Sequence, residues 1–299
     1  MAKTEYQCSA CGNRTAKWLG KCPACEQFGT LAESAPARAR AGSRTRGPAA
    51  GPTRSARPVV DLRSEVRSRL STGVGEFDRV LGGGLVSGQV VLVAGEPGVG
   101  KSTLLLDVGH RYAEHHGTVL YVSGEESAEQ IALRARRIGA LHPRLLIADE
   151  TELEQVLAHV AQLRPALLIV DSVQTIATAA IDSRAGGVAQ VHEVTQSVTQ
   201  WAKTHNLPTL LVGQSTRDNS VAGPRALEHL VDTVVTFEGD RTSSLRLLRS
   251  VKNRFGPTDE VACFEHDEDG LREVADPSSL FRKVRDQPVA GSCLTVTME

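Results

Sequence analysis

No apolar run in this chain of 299 residues approaches the roughly 20 consecutive residues that a membrane-spanning helix needs. That excludes such a span and leaves no membrane among the expected partners. The first residues, MAKTEYQCSACG, lack the apolar stretch of a secretory signal, so a cytoplasmic location is expected. No internal repeat is visible, which argues against a solenoid or propeller. Aromatic residues make up only 4% of the chain. What remains, 40% apolar and 23% charged, is an ordinary globular composition. The length suffices for one sizeable α/β domain with small additions.

The net charge of −1 hides an asymmetry. Residues 1–70 carry 13 Lys/Arg against 5 Asp/Glu, or +8, and the rest carry 21 against 30, or −9. A basic arm on an acidic body suits a polyanionic partner reached by the arm. The same composition also suits a solubilising tail.

Three regions differ in composition. Residues 1–31 hold four of the six cysteines. Residues 32–58 are mostly Ala, Arg, Gly, Pro and Ser. They cannot bury enough apolar surface to offset their ordering entropy, so they read as a flexible basic linker. From residue 59 strands and helices alternate. GQVVLVAG (88–95), TVLYVSG (118–124), RLLIAD (144–149), ALLIVD (166–171) and PTLLVG (208–213) read as buried strands. Between them, residues 101–117, 127–139, 152–163 and 188–205 have helical patterns. Short apolar strands alternating with amphipathic helices imply an α/β fold with a mostly parallel sheet covered on both faces. Residues 233–272 have strand character without intervening helices, so antiparallel hairpins are expected there.

GEPGVGKS, from Gly95 to Ser102, matches G-x-x-x-x-G-K-[ST] after a strand and before a helix. In that context backbone N–H groups, freed by Gly98 and Gly100, turn inward around phosphate oxygens. The helix start adds its positive dipole end. Lys101 places a cation on the β- and γ-phosphates, and Ser102 offers its hydroxyl to Mg2+. The candidate nucleotide set is Gly95, Glu96, Pro97, Gly98, Val99, Gly100, Lys101, Ser102 and Thr103, with ATP and Mg2+ as expected ligands. LLIVD ends a buried strand in Asp171, where a carboxylate can hold the Mg2+ shell. YVSGEES puts Glu125 and Glu126 at the ligand-binding edge of an open α/β sheet. Glu125, beside Gly124, is the candidate to polarise the attacking water. Glu126 fits that role or simply an acidic helix start.

Cys8, Cys11, Cys22 and Cys25 form C-x2-C-x10-C-x2-C. Two such pairs close a tetrahedral thiolate cage around structural Zn2+. Lys17, Trp18 and Lys21 between the pairs are available to nucleic acid or to another protein. Trp18 also suits packing on the zinc lobe. KNRFG, Lys252 to Gly256, follows a strand-like run. From its residues alone it is either a solvated turn or a second half of the active site. The loops 176–187 and 214–226 hold Arg184, Arg217 and Arg225 but no aromatic residue. They offer a nucleic acid phosphate contacts without stacking platforms.

Together KWLGKCPAC, STGVGEFDRVLGGGLVSG, GEPGVGKSTLLL, YVSGEES, AGPRALEHLVDTVV, KNRFGPTDEV and GLREVADPSSLF resemble the bacterial RadA (Sms) family of DNA-repair ATPases. The resemblance covers everything but the linker. It implies a RecA-like P-loop ATPase core over residues 59–285, preceded by the zinc ribbon. It further implies DNA-dependent ATP hydrolysis, binding of single-stranded and branched DNA, and branch migration alongside the RecA recombinase. A homo-hexameric ring like that of the DnaB helicase is implied too. It places Lys252 and Arg254 near a subunit boundary, coupling ATP to DNA, and lets Gln214 link a γ-phosphate to a DNA loop. Gln214 stands where the family usually has His, Arg217 where it has Lys, His192 where it has Arg, and Phe28 where it often has Trp. These departures bear on the DNA-coupling loops more than on the ATP site. Residues 286–299, ending in GSCLTVTME, resemble the first strand of a Lon-protease-like domain whose remainder is not in this chain. A weaker ring is therefore expected, and a RecA-fold switch or a zinc-ribbon recruitment module without motor activity is the alternative.

Overall fold

The structure is a computed structural model that describes residues 5–9, 11, 13–15, 17–34, 69–214, 224–239 and 243–276. The expected linker beyond Ser34, Arg217 and the segment 286–299 lie outside the described residues. The chain divides into two compact units, with the boundary between residues 63 and 64.

In the first unit β1 (Glu5–Cys8) pairs antiparallel with β2 (Arg14–Thr15) and β3 (Leu31–Ser34). Composition alone assigns residues 32–34 to the linker. The structure gives them to the ribbon, because β3 is held by backbone pairing with β1 and needs no large apolar side chain for that.

The second unit is a nine-stranded sheet, ordered β12-β11-β10-β9-β4-β8-β7-β5-β6. Its parallel part comprises β4 (Val90–Gly95), β5 (Val119–Ser123), β6 (Leu145–Asp149), β7 (Leu167–Asp171), β8 (Thr209–Gln214) and β9 (Thr233–Gly239). Antiparallel β10 (Leu245–Asn253), β11 (Val261–Asp267) and β12 (Gly270–Glu273) extend it beyond β9. Each strand expected from the sequence up to Gln214 is present, with its ends moved by no more than two residues.

The alternation of strand side chains sorts the core into two layers. Val91 and Val93 of β4 face a cluster with Leu104, Leu105 and Tyr112 of α2 (Lys101–His115) and Ile131 of α3 (Ala128–Arg137). Val90 and Leu92 face the other way, onto Val156 and Val160 of α4 (Leu153–Leu163) and Val191, Val194 and Val198 of α5 (Val188–His205). Every residue of β4 is buried, which requires helices on both faces. α3 starts on a capping box in which Ser127 and Gln130 bond reciprocally to each other's backbone N–H.

Two helices are not visible in the sequence periodicity, a four-residue one after β8 and a longer one. The longer is α1 (Gly75–Leu81), seven residues long and too short for two full turns of pattern. Asp78 holds its approach by accepting the Thr72 N–H at 2.9 Å and the Ser71 hydroxyl at 2.6 Å. Phe77, Val80 and Leu81 then join the α2 side of the core. The four-residue α6 (Pro224–Leu227) follows β8 in the chain.

Candidate nucleotide site and metal centre

Parallel pairing brings the functional strand ends into register. Gly95 of β4 lies opposite Gln214 of β8, and Ser123 of β5 opposite Asp171 of β7. The phosphate loop leaves β4 and enters α2 through Gly100, whose φ of 111° lies in the left-handed region that disfavours a β-carbon. Gly98 has φ of 81°. The first turn of α2 contains no acidic residue, so no carboxylate of the helix itself neutralises its positive end. Lys101 is 6% exposed. Its Nζ donates to the carbonyls of Gly95 and Glu96, both at 2.9 Å. Burial pushes its pKa down, while the charges of Asp171 and Glu125 oppose that shift.

The carboxylates occupy distinct positions. Asp171 Oδ2 accepts the Tyr121 hydroxyl at 2.5 Å. Burial, with Asp171's charge next, raises the Tyr121 pKa well above its ordinary value, so the phenol keeps its proton and donates. Glu125 Oε1 accepts from the Ser172 hydroxyl at 2.8 Å and the Gln214 amide at 2.7 Å. Glu126 is ion-paired with Arg134 of α3. Of the two adjacent glutamates, Glu125 thus joins the strand-end network and Glu126 anchors a helix. Tyr121 and Ser172 were not legible as site residues. A Tyr within a buried apolar strand is a hint, because its hydroxyl needs a partner.

A cavity of about 340 Å3 collects Gly98, Gly100, Lys101, Ser102, Thr103, Glu125, Asp171 and Gln214. Glu126 lines it too, and so do three residues the motifs do not contain, Arg134, Arg137 and His266. Sequence reasoning missed these three because they come from α3 and the remote strand β11. A larger cavity of about 710 Å3, lined by Tyr112, Trp201 and Leu207 among others, contains none of the phosphate-loop groups.

The close packing behind Glu125 is tight enough to test. A β-carbon on Gly124 would lie 2.2 Å from Thr175 Oγ1. Gly124→Ala is expected to lower stability by about 1–3 kcal/mol, read as a drop in denaturant midpoint. An unchanged midpoint would show that Thr175 yields freely.

Lys252 and Arg254 do not join this cavity. Lys252 Nζ donates to the carbonyl of Glu228 and, at 3.0 Å, to that of Val231. Burial, then the charge of Arg254, lowers its pKa. Arg254 pairs with Asp232, whose side chain is 2% exposed. Asp232 also accepts from Val90 N at 3.0 Å and from Lys203. The hydrogen-bonded N–H of Val90 and two cations satisfy a carboxylate that would otherwise be costly to bury. No sequence motif announces that hub.

In the first unit the ligand atoms of Cys8, Cys11, Cys22 and Cys25 all lie within 4.8 Å of one another. Sγ of Cys8 and Cys25, and Sγ of Cys11 and Cys22, are each 3.6 Å apart. A tetrahedron with Zn–S bonds of about 2.3 Å needs sulfurs about 3.8 Å apart, so the four thiols fit Zn2+. The apolar cluster here is Cys8 and Cys22 with Tyr6 and Cys25 against them, too small a core to hold the unit alone. Cys11→Ser is therefore expected to abolish zinc retention and unfold the ribbon while the α/β unit keeps its own thermal transition. Zinc content and calorimetry check this, and a folded, zinc-free ribbon would contradict it.

A glycine-rich strand-to-helix loop, a buried lysine and carboxylates on neighbouring parallel strands define a P-loop nucleotide-binding domain. The comparisons agree. The family described as AAA domain matches residues 60–220, and the one described as rubredoxin metal binding domain matches residues 6–33. The chain belongs to the AAA-domain family. Its relatives there include proteins named DNA repair protein RadA. That from Mycobacterium tuberculosis is 48% identical over 300 residues, covering 100% of this chain and 62% of the relative. That from Bacillus subtilis is 43% identical, covering 100% of this chain and 66% of the relative. The chain thus spans about two-thirds of these relatives or slightly less. A crystal structure of the RadB recombinase superposes with TM-score 0.53 at 26% identity, covering 69% of this chain and 99% of that one. Among the described residues no helix is long and apolar enough to cross a membrane.

Proposed function

We propose that this chain is a DNA-dependent ATPase of DNA repair that binds single-stranded DNA and promotes branch migration of recombination intermediates. The observation that carries the proposal is the Glu125–Gln214 hydrogen bond. It ties the group placed to activate water to the last residue of β8, where the chain enters the candidate DNA loop. A strand that shifts the loop would shift Gln214, and with it the orientation of Glu125.

Each residue then has a task. Gly98 and Gly100 expose backbone N–H groups to phosphate oxygens. Lys101 supplies the buried cation, and Glu125 takes the proton of the attacking water. Ser102 and Asp171 would hold Mg2+, with Tyr121 orienting Asp171. When bound, Mg2+ offsets the negative charge of the β- and γ-phosphates. Lys252 and Arg254 do not line their own chain's phosphate cavity; in a homo-oligomeric ring they would act on a neighbour's site on release from the Glu228 and Val231 carbonyls and from Asp232. Supplying the cation in trans makes hydrolysis depend on assembly. Branched DNA and the RecA recombinase, in the cytoplasm, are the partners that match this activity and the name of the relatives.

The test is ATP hydrolysis with and without single-stranded DNA. Stimulation by DNA is expected. No hydrolysis would sink the motor reading, and hydrolysis indifferent to DNA would favour a RecA-fold switch. Lys252→Ala is expected to leave nucleotide binding intact while uncoupling ATP use from DNA movement. A large loss of ATP affinity in the monomer would contradict the trans role.

A further inference from the structure

The α/β unit offers unpaired bases little to stack on. Among the described aromatic residues, Phe77, Tyr112, Tyr121, Phe237 and Phe264 are buried, and Trp201 and Phe255 are partly buried. Trp201 already stacks on His205 at 3.5 Å between ring centroids. The exposed aromatics, Trp18 at 60% and Phe28 at 77%, both lie on the zinc ribbon.

They belong to one knuckle. Lys21 and Phe28 face each other across an antiparallel bridge. The Gly29 N–H donates to the Gly20 carbonyl at 3.0 Å, and the Cys22 N–H to the Gln27 carbonyl at 3.0 Å. Trp18 and Leu19, the latter 44% exposed, lead into this hairpin. Its fold is set by cysteines that serve the metal, so the aromatics are not needed to fill a core. Lys21 Nζ lies 5.8 Å from the Phe28 ring centroid and pairs with the exposed Glu26 at 3.0 Å, a contact that an incoming phosphate would replace; Lys17 is exposed nearby in sequence. Residues 35–68, which follow the ribbon, contain eight Arg and two acidic residues. Flat rings, adjacent cations and a basic continuation suit a polyanion that presents flat faces. Duplex bases are stacked on one another, which leaves single strands. An acidic protein surface is the competing occupant, and the test below separates it from a single strand.

We propose that the knuckle of Trp18, Phe28, Lys17 and Lys21 is a stacking platform for the bases of single-stranded nucleic acid. It would be a second contact, separate from the loops of the ATPase unit, and would supply the stacking those loops lack.

The test uses the full zinc-loaded chain carrying Trp201→Phe, which keeps a ring on His205 and leaves Trp18 as the sole tryptophan. An oligothymidylate is expected to quench its emission, and an abasic strand of equal length is not. In the otherwise unaltered chain Trp18→Ala and Phe28→Ala should each weaken oligothymidylate binding about tenfold. Trp18→Phe should restore most of the affinity, and all variants should retain zinc. Equal quenching by the abasic strand, or undiminished binding by the alanine variants, overturns the platform. If the unaltered chain binds no single strand, the proposed motor function falls as well. If it binds and its ATPase responds to DNA while Trp18→Ala changes nothing, only the platform falls.

Discussion

Lys101→Ala is expected to abolish ATP turnover, with a loss of about a thousandfold or more in kcat. The side chain is buried, its ammonium is fixed by two loop carbonyls, and it is the cation of the phosphate loop. Alanine leaves those carbonyls without their donor, and Asp171 and Glu125 without a cation that offsets their charge. Lys101→Arg should not rescue, because a planar guanidinium does not fit a slot shaped for one compact ammonium. Phosphate release measures the effect, and retained turnover in either variant would refute the site. The lowered pKa adds a pH signature. Phosphate binding favours the charged lysine, so nucleotide affinity should fall as pH rises through the depressed free-state value. That fall should begin below the range of an exposed lysine. Folding has the opposite sign: a lysine depressed on folding costs least when neutral, so this group does not destabilise the fold at high pH. A loss of affinity without a loss of thermal stability on the alkaline side distinguishes the two.

Glu125→Gln should lower kcat by about 10²–10⁴ while nucleotide affinity changes little. Glutamine keeps the shape and can still accept from Ser172. It cannot take a proton from water, and it exchanges the ion–dipole contact with Gln214 for a neutral one. Glu126→Gln breaks the Arg134 pair and should leave most of the hydrolytic rate. Measuring kcat and nucleotide affinity separately in both variants decides between the adjacent glutamates. Full activity in Glu125→Gln with loss in Glu126→Gln would reverse the assignment.

The legible parts of this protein were those encoded locally. The phosphate loop needs glycines, a lysine and a hydroxyl within eight consecutive positions, Gly95 to Ser102. The zinc cage needs two closely spaced cysteine pairs. The parallel strands are short apolar runs because both of their faces are covered. The helix α1 was invisible because seven residues carry little periodicity and its packing on the core is a tertiary effect. Residues 32–34 of β3 read as linker because backbone pairing leaves no compositional trace. Arg134, Arg137 and His266 at the nucleotide cavity, and Tyr121 beneath Asp171, come from elements whose meeting depends on strand order.

A phosphate loop, a four-cysteine metal cage and an α/β core can all be read from residue types at short fixed spacings. What those parts face depends on contacts between residues distant in the chain. Parallel register set Gly95 beside Gln214 and Ser123 beside Asp171, which turned separated motifs into one cavity. The same structure tied Lys252 to the carbonyls of Glu228 and Val231, and Arg254 to buried Asp232, away from that cavity. Which of two adjacent glutamates joins the strand-end network and which pairs with a helix arginine, and which cations line the chain's own cavity, depend on distances across the sheet. Those distances are set by strand pairing and helix packing between residues far apart in the chain.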